Sequence, residues 1–398
     1  MNLISFYLWV TLQVIIGYNL VLPILFFIIY KLKRPYIFKI SDSNLSTPDY
    51  AIIVTAYEQT HSLNSVVDSL LSLKYENFLI YIVADKCDIS SLSFIDDKVV
   101  LLRPEVTLGS NIRSHFYAIK NFKRNHSHLT IIDSDNLVEP NYLNHLNEWF
   151  NQGFEAVQGV RNAKNLDTTF ACLDAARDLY YHFYDARILF GLGSSATLAG
   201  SGMAFTTKLY KECLENLHIE GAGFDKVLQS EIVGRNLRIA FSKKAIVYDE
   251  KTSKSDQLVN QRARWINTWF KYFNLGFKLI LKSYNNRSIN QFLFGFVLIR
   301  PPLFLFIVGS LICLVINLWI SYFALAIWLL AFLFFVIGFM IAITNSKADI
   351  RIYKSLINIP QFIFFQVVSL VKSRKANENS VATKHFHNST IISQKNEN

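Results

Sequence analysis

Residues 129–135 read LTIIDSD, an apolar, β-branched run that closes on two aspartates one residue apart. A short apolar run of this kind, ended by polar residues, has the pattern of a buried strand. In an open α/β sheet, ligands bind beyond the carboxyl ends of the strands. The i, i+2 spacing puts Asp133 and Asp135 on the same side of an extended segment. Like charges so close repel, so a shared cation is their natural partner. Carboxylate oxygens suit Mg²⁺ or Mn²⁺, particularly beside substrate phosphates.

The same reading extends to both sides. AIIV (51–54), LIYIV (79–83) and RIAF (238–241) are further short β-branched runs between longer helical patterns. Strands that alternate with helices mean βαβ units, so residues 45–265 read as one α/β domain with a mostly parallel sheet. AIIVTAYE ends in Glu58, and YIVAD ends in Asp85. Asp225 opens a helical segment after the turn-rich GAG at 221–223. Any one of these acids alone reads equally well as a helix cap.

Composition explains the flanks. The 398 residues are 52% hydrophobic and only 18% charged, yet the net charge is +10. An ordinary soluble domain is roughly 25% charged. Such apolar content excludes disorder. The basic residues are scattered rather than gathered into stripes, which argues against a nucleic-acid partner. Residues 3–30 carry no charge and exceed the about 20 residues a helix needs to cross a bilayer. With no basic residues ahead of them and no small-residue cleavage site, they read as a retained anchor. Lys31, Lys33, Arg34 and Lys39 follow in a basic linker, 31–44, which the positive-inside rule places in the cytoplasm. Residues 301–346 are again uncharged, enough for two spans, with the turn expected at 317–322. Within 266–300, the pattern over 265–282 predicts an amphipathic helix, Lys-bearing on one face and aromatic on the other, lying in the membrane interface. A second interfacial helix is expected within 347–372, followed by a polar tail, 373–398. The four cysteines form no C-x-x-C pair and suggest neither a disulfide framework nor a zinc site.

The ordered segments AIIVTAYEQ, YIVADKCD, TIIDSDNLVEPNYL, EAVQGVRN, GSGMAF, FDKVLQ and QRARW carry a resemblance. The chain resembles the membrane-embedded family-2 glycosyltransferases, the group of cellulose, chitin, hyaluronan and poly-N-acetylglucosamine synthases. The match runs from residue 50 to about 265. It implies a GT-A type nucleotide-diphospho-sugar transferase domain. It also implies roles. Ala56, Tyr57, Glu58 and Asp85 would hold the uridine of a UDP-sugar, and Asp133 would lie near its ribose and diphosphate. Asp135 would ligate the Mg²⁺ or Mn²⁺, and Asp225 would be the general base. Gln261, Arg262, Arg264 and Trp265 form the Q-x-x-R-W signature. Its arginines would neutralise the leaving diphosphate, and Trp265 would stack on the acceptor sugar. Gly200, Ser201 and Gly202 would sit beside that acceptor.

Plainer readings stand beside these roles. Trp265 could simply anchor the interfacial helix, Arg262 and Arg264 could be membrane-surface charges, and the two glycines could mark a tight turn. The chain also departs from the family pattern. Phe224 stands where relatives carry an acid before the base, the loop at 108–114 reads LGSNIRS where a Lys is usual, and the tail reads ATKHFH without the usual Trp.

The resulting expectation is an inverting glycosyltransferase of the cell membrane, of bacterial inner-membrane type. It has a cytoplasmic catalytic domain and extends a β-linked polysaccharide processively. Its partners would be the UDP-sugar donor, a glycan or lipid-linked acceptor, the bilayer, and an export subunit or a second copy of the chain. Two alternatives remain: a non-processive transferase adding one sugar to a lipid, and an inactive accessory membrane subunit.

Overall fold

The structure, a computed structural model, describes residues 3–33, 47–219 and 221–376. The basic linker from residue 34 and the tail beyond 376 lie outside these. The chain opens with α1 (Leu3–Leu32), then alternates through β1 (Tyr50–Tyr57), α2 (Leu63–Leu71), β2 (Phe78–Asp85), β3 (Val99–Leu102), α3 (Asn111–Lys120) and β4 (His128–Asp133). Next come β5 (Leu137–Val138), α4 (Tyr142–Phe150), β6 (Ala156–Ala163), α5 (Thr169–Tyr181), a π-helical turn (His182–Ile188) and α6 (Leu189–Gly191). The domain ends with β7 (Met203–Thr206), α7 (Thr207–Leu214), α8 (Phe224–Gly234), β8 (Ile239–Asp249) and α9 (Ser255–Tyr272).

The sheet order is β3-β2-β1-β4-β7-β6-β8-β5. The β1/β2, β1/β4, β2/β3 and β6/β8 pairs are parallel. β7 lies antiparallel to both β4 and β6, and β5 antiparallel to β8. The sheet is therefore mixed, parallel at its amino-terminal half and interrupted by β7. Near-continuous burial of Ile52, Ile53, Val54, Ile80, Ile82 and Ile132 fits strands covered on both faces.

Among the described residues, four helices are long and apolar enough to cross a membrane: Leu3–Leu32, Leu303–Ile320 (α12), Tyr322–Asn345 (α13) and Ile350–Lys372. The helix expected over 265–282 is interrupted at Phe273, and α10 (Asn274–Asn286) continues onto α11 (Ile289–Ile299). Glycines allow that hairpin. A Cβ on Gly276 would lie 2.5 Å from the Gly295 carbonyl, and one on Gly295 would lie 2.8 Å from that of Gly276. The turn expected at 317–322 shrinks to Ser321, whose hydroxyl caps α13 by accepting from the Ala324 N–H. Helix α12 persists through Asn317 because that side chain is satisfied within the bundle, donating to the Cys313 carbonyl and to Gln13 of α1. The last of the four is built from α14 (Ile350–Ser355), a 3₁₀ turn and α15 (Ile359–Lys372). Helix α15 packs along α9, where Asn267 donates to the Ser373 carbonyl at 2.9 Å.

The α/β domain sits directly on α1. A Cβ on Gly191 would fall 2.3 Å from the Tyr30 ring, and Lys33 Nζ donates to the Leu192 carbonyl at 3.0 Å. Tyr184, in the π-helical turn, donates to the Gly338 carbonyl of α13 at 2.8 Å.

Candidate active site

Parallel pairing brings the first set of acids together. Tyr57 is the register partner of Asp85, and Thr55 that of Asp133. Asp85, Tyr57 and Asp133 therefore end three adjacent strands, β2, β1 and β4, at one edge. Ala56 is buried inside β1. Glu58 turns out of the strand in the left-handed region (φ 59°), and Lys86 does the same after β2 (φ 54°). Their side chains pair at 2.7 Å. Both Asp85 oxygens accept backbone N–H bonds, from Leu108 at 2.9 Å and Gly109 at 2.7 Å. Asp85 thus fixes the 108–114 loop over the strand ends.

Asp135 is buried just past β4. Among the described residues, no three His, Cys, Asp or Glu side chains stand close enough to hold a metal alone. Asp135 would offer one buried carboxylate oxygen donor and leave the remaining ligands to phosphate oxygens or water. That is how Mg²⁺ is ordinarily held, so Asp135 fits such an ion.

The loop 199–202 is clamped from below. Gly200 and Gly202 both have positive φ (86° and 65°), and a Cβ on Gly202 would press within 2.9 Å of Val247. Gln158, fully buried on β6, accepts from the Ala199 N–H and donates to the Ser201 and Gly202 carbonyls. Arg161, also on β6, donates to the Ala199 carbonyl and to Asp249. Neither Gln158 nor Arg161 emerges from the sequence as a site residue.

A second buried charge cluster lies beside this loop. Lys251 bonds Asp178 at 2.6 Å and Asp249 at 2.8 Å. Burial alone would raise the Asp178 carboxyl, but the Lys251 ammonium overrides it and holds the group well below the usual carboxylate range. Burial takes the neighbouring His182 imidazole down to about 4. On α5, Asp174, Arg177, Asp178 and, a turn later, His182 form a stripe at i, i+3, i+4 and i+8. That spacing was the available signal for a polar helix face turned inward.

The signature helix α9 joins the cluster. Arg262 is buried, pairs with Asp174, and lies 4.0 Å from the Trp265 ring centroid. Burial pulls its pKa down to about 10, against the opposing pull of Asp174. Arg177 lies over the same indole at 4.6 Å. Two guanidiniums thus stack on Trp265. Burial also lowers the Arg264 pKa. Gln261 accepts from Thr252 at 3.2 Å, tying α9 to the segment after β8.

Asp225 occupies the first turn of α8, with Lys226 Nζ 3.8 Å from its carboxylate. Gly223 precedes it at φ 102°, and a Cβ there would stand 2.5 Å from Thr268 and 2.7 Å from Tyr272 of α9. The start of α8 is therefore fitted against the signature helix. Gly223→Ala combines left-handed strain with overpacking, so it should cost about 2–4 kcal/mol and depress activity further by moving Asp225. Unfolding curves read beside transfer rates check this; a stable, fully active variant contradicts it.

Phe224, in the position where relatives carry an acid, packs its ring on His115 at 5.1 Å. His115 is fully buried, its Nδ1 is 2.7 Å from the Tyr210 hydroxyl, and burial drives its pKa down to about 3. A histidine freed by unfolding titrates near 6.5. Its stabilising effect is whole above that pH and is lost as pH falls toward 3. Between pH 7 and pH 5 the loss should be about 2 kcal/mol. Denaturant unfolding at the two pH values measures it, and His115→Gln should remove that share of the difference.

Fold and site define a GT-A type domain, a mixed Rossmann-like sheet with an acidic strand edge. The family model described as glycosyltransferase like family 2 matches residues 48–268, over half of the chain, and the chain belongs to that family. Among solved structures, the mannosyltransferase of Pyrobaculum calidifontis, in complex with GDP-Man and Mn²⁺, aligns with TM-score 0.56 at 12% identity. That alignment covers 92% of this chain and 97% of the other. S. aureus TarS residues 1–349, with UDP-GlcNAc, aligns with TM-score 0.42 at 12% identity, covering 83% and 90%. No curated protein sequence matches the chain.

Proposed function

We propose that this protein is a membrane-bound inverting glycosyltransferase that moves a sugar from a UDP-sugar to an acceptor at the cytoplasmic membrane surface. The observation that best supports the reading is the acidic strand edge, where Asp85 and Asp133 end adjacent strands and Asp135 lies buried just past β4. Gly223, two residues before Asp225, is fitted against Thr268 and Tyr272 of the helix that carries Gln261–Trp265. In this reading Tyr57, Glu58 and Asp85 border the uridine, and Asp133 borders the diphosphate. Asp225 takes the proton of the acceptor hydroxyl as that oxygen attacks the anomeric carbon and the bond to UDP breaks. A single base with no nucleophilic carboxylate opposite it gives direct displacement with inversion. Arg264 faces the leaving diphosphate, where a fixed cation counts most. A divalent ion held by Asp135 and phosphate oxygens would neutralise the same charge. Trp265, already stacked by Arg177 and Arg262, offers the acceptor a ring edge or a face opened by arginine movement. The intact acids argue against an inactive accessory subunit.

Polymer extension is the first reading for the acceptor, resting on the signature and the interfacial helices. Single transfer to a lipid is the second. It is favoured by the seam between α1, α12 and α13, which is filled by Leu20, Cys313 and Trp328 and by Gln13 bonded to both Asn317 and Trp328. Polymer export would then need a partner subunit or a second copy. Membranes carrying the protein, given a panel of radiolabelled UDP- and GDP-sugars, test both readings by product size. A ladder supports extension, a single lipid-soluble product supports transfer to lipid, and no incorporation from any donor rejects the enzyme reading.

A further inference from the structure

Beneath the D-x-D turn the side chains close a ring. Asn136, fully buried, has one amide orientation that suits its neighbours. Its oxygen accepts from Ser201 Oγ at 2.7 Å, and its nitrogen donates to Asp135 Oδ1 at 3.1 Å and Asp249 Oδ1 at 3.3 Å. The opposite orientation would set an amide oxygen against two carboxylates. Ser201 Oγ in turn accepts from the Asp133 N–H at 3.1 Å. Asp249 Oδ2 accepts from Arg161, and Arg161 returns to the Ala199 carbonyl two residues before Ser201. The ring therefore runs Asn136–Asp249–Arg161–Ala199–Ser201–Asn136. Lys164 adds a strut, its Nζ donating to the Asp135 carbonyl at 3.0 Å.

We infer that Asn136, with Asp249 and Arg161 behind it, is a positioning residue that fixes the Asp135 carboxylate for a divalent cation and locks it to the 199–202 loop. The argument is physical. Asp135 and Asp249 both approach one amide nitrogen, which offsets part of their mutual repulsion and orients one oxygen of Asp135. The other oxygen stays directed by the same rotamer. Because Ser201 bonds both the Asn136 oxygen and the Asp133 N–H, the metal ligand and the glycine loop cannot move independently. This inference rests on the proposed function only in taking Asp135 as the ligand.

Such supporting bonds are typically worth about 10–100-fold in metal affinity. The full-length protein in detergent, with UDP present, is titrated with Mn²⁺ and followed by electron paramagnetic resonance. Asn136→Ala and Ser201→Ala should each weaken Mn²⁺ binding about tenfold or more, while the unfolding temperature in chelator changes little. Arg161→Lys should speed amide hydrogen exchange in 133–136 and 199–202 together. Wild-type Mn²⁺ affinity in both alanine variants, or faster exchange in one segment alone, overturns the inference and leaves the proposed function standing. If Asn136→Ala does not fold, the Ser201→Ala affinity decides. A wild-type protein that binds neither Mn²⁺ nor any nucleotide sugar overturns both.

Discussion

Asp225→Asn is expected to slow sugar transfer by about 10²–10⁴-fold, the range for loss of a general base, while UDP affinity stays within a few-fold of wild type. Several features of the residue support so clean a separation. Asp225 lies in the first turn of α8, with Lys226 Nζ 3.8 Å from its carboxylate. Phe224 removes the second acid that relatives carry beside it, and its ring is spent on His115. In the proposed role, proton removal would then rest on Asp225 without an acid beside it at 224. Asn matches Asp in size and keeps the packing of α8 against Thr268 and Tyr272, so the variant should fold and bind donor. Steady-state transfer and UDP titration on the same purified sample provide the measurement. Turnover at the wild-type rate would remove Asp225 from the role of base. Loss of UDP affinity in step with rate would make it a donor-site residue instead.

What the sequence revealed, and what it hid, follows from the range of the interactions. The parallel half of the sheet is legible because its strands are contiguous apolar runs, two of which, β2 and β4, end in an acid. Asp85 and Asp133 reach the same sheet edge, opposite Tyr57 and Thr55, because β1, β2 and β4 pair in parallel without a bulge. β7 is invisible to that logic. It enters antiparallel between β4 and β6 from a glycine-rich loop, and only three-dimensional closure assigns its neighbours, which is why a mostly parallel sheet becomes a mixed one. The buried ions behave likewise. Arg161, Asp178, Asp249 and Lys251 come from three separate stretches, each ordinary for a surface. Their partners are roughly 70 to 90 positions away, as for Arg161 with Asp249 and Lys251 with Asp178. No local pattern announces a pair of that kind. Trp265 shows a subtler limit. The Q-x-x-R-W spacing draws attention to Arg264, yet it is Arg262 that is buried against Asp174 and stacked on the indole. Helix ends are hidden from local pattern where a polar side chain finds a bond inside the bundle: Asn317, a residue type that suggests a turn, is a buried helix residue bonded to Gln13.

Asp135→Ala should lower transfer by about 10²–10³-fold and, in the same step, erase the dependence on Mg²⁺ or Mn²⁺. The size follows from several kcal/mol of charge stabilisation at the leaving diphosphate, each 1.36 kcal/mol being worth tenfold in rate. The residual rate rests on the fixed cations that remain, Arg264 first among them, which is why activity falls rather than vanishes. Asp133 does not substitute for Asp135. It ends β4 itself, with its backbone N–H bound to Ser201, so its side chain leaves the sheet two residues earlier. Nor do nearby acids replace the lost ligand, since Asp249 is committed to Arg161 and Lys251. The alanine also relieves repulsion around Asn136, so the folded protein should be at least as stable in chelator as the wild type. The distinguishing measurement is a metal titration of transfer rate in both proteins after chelation. Wild type should rise from near zero with added Mn²⁺, and the variant should stay flat at its low residual rate. A variant that climbs to wild-type activity at higher Mn²⁺ would mean that Asp135 tunes the metal site from outside the coordination sphere. Full wild-type activity in chelator would mean that the arginines alone carry the leaving group.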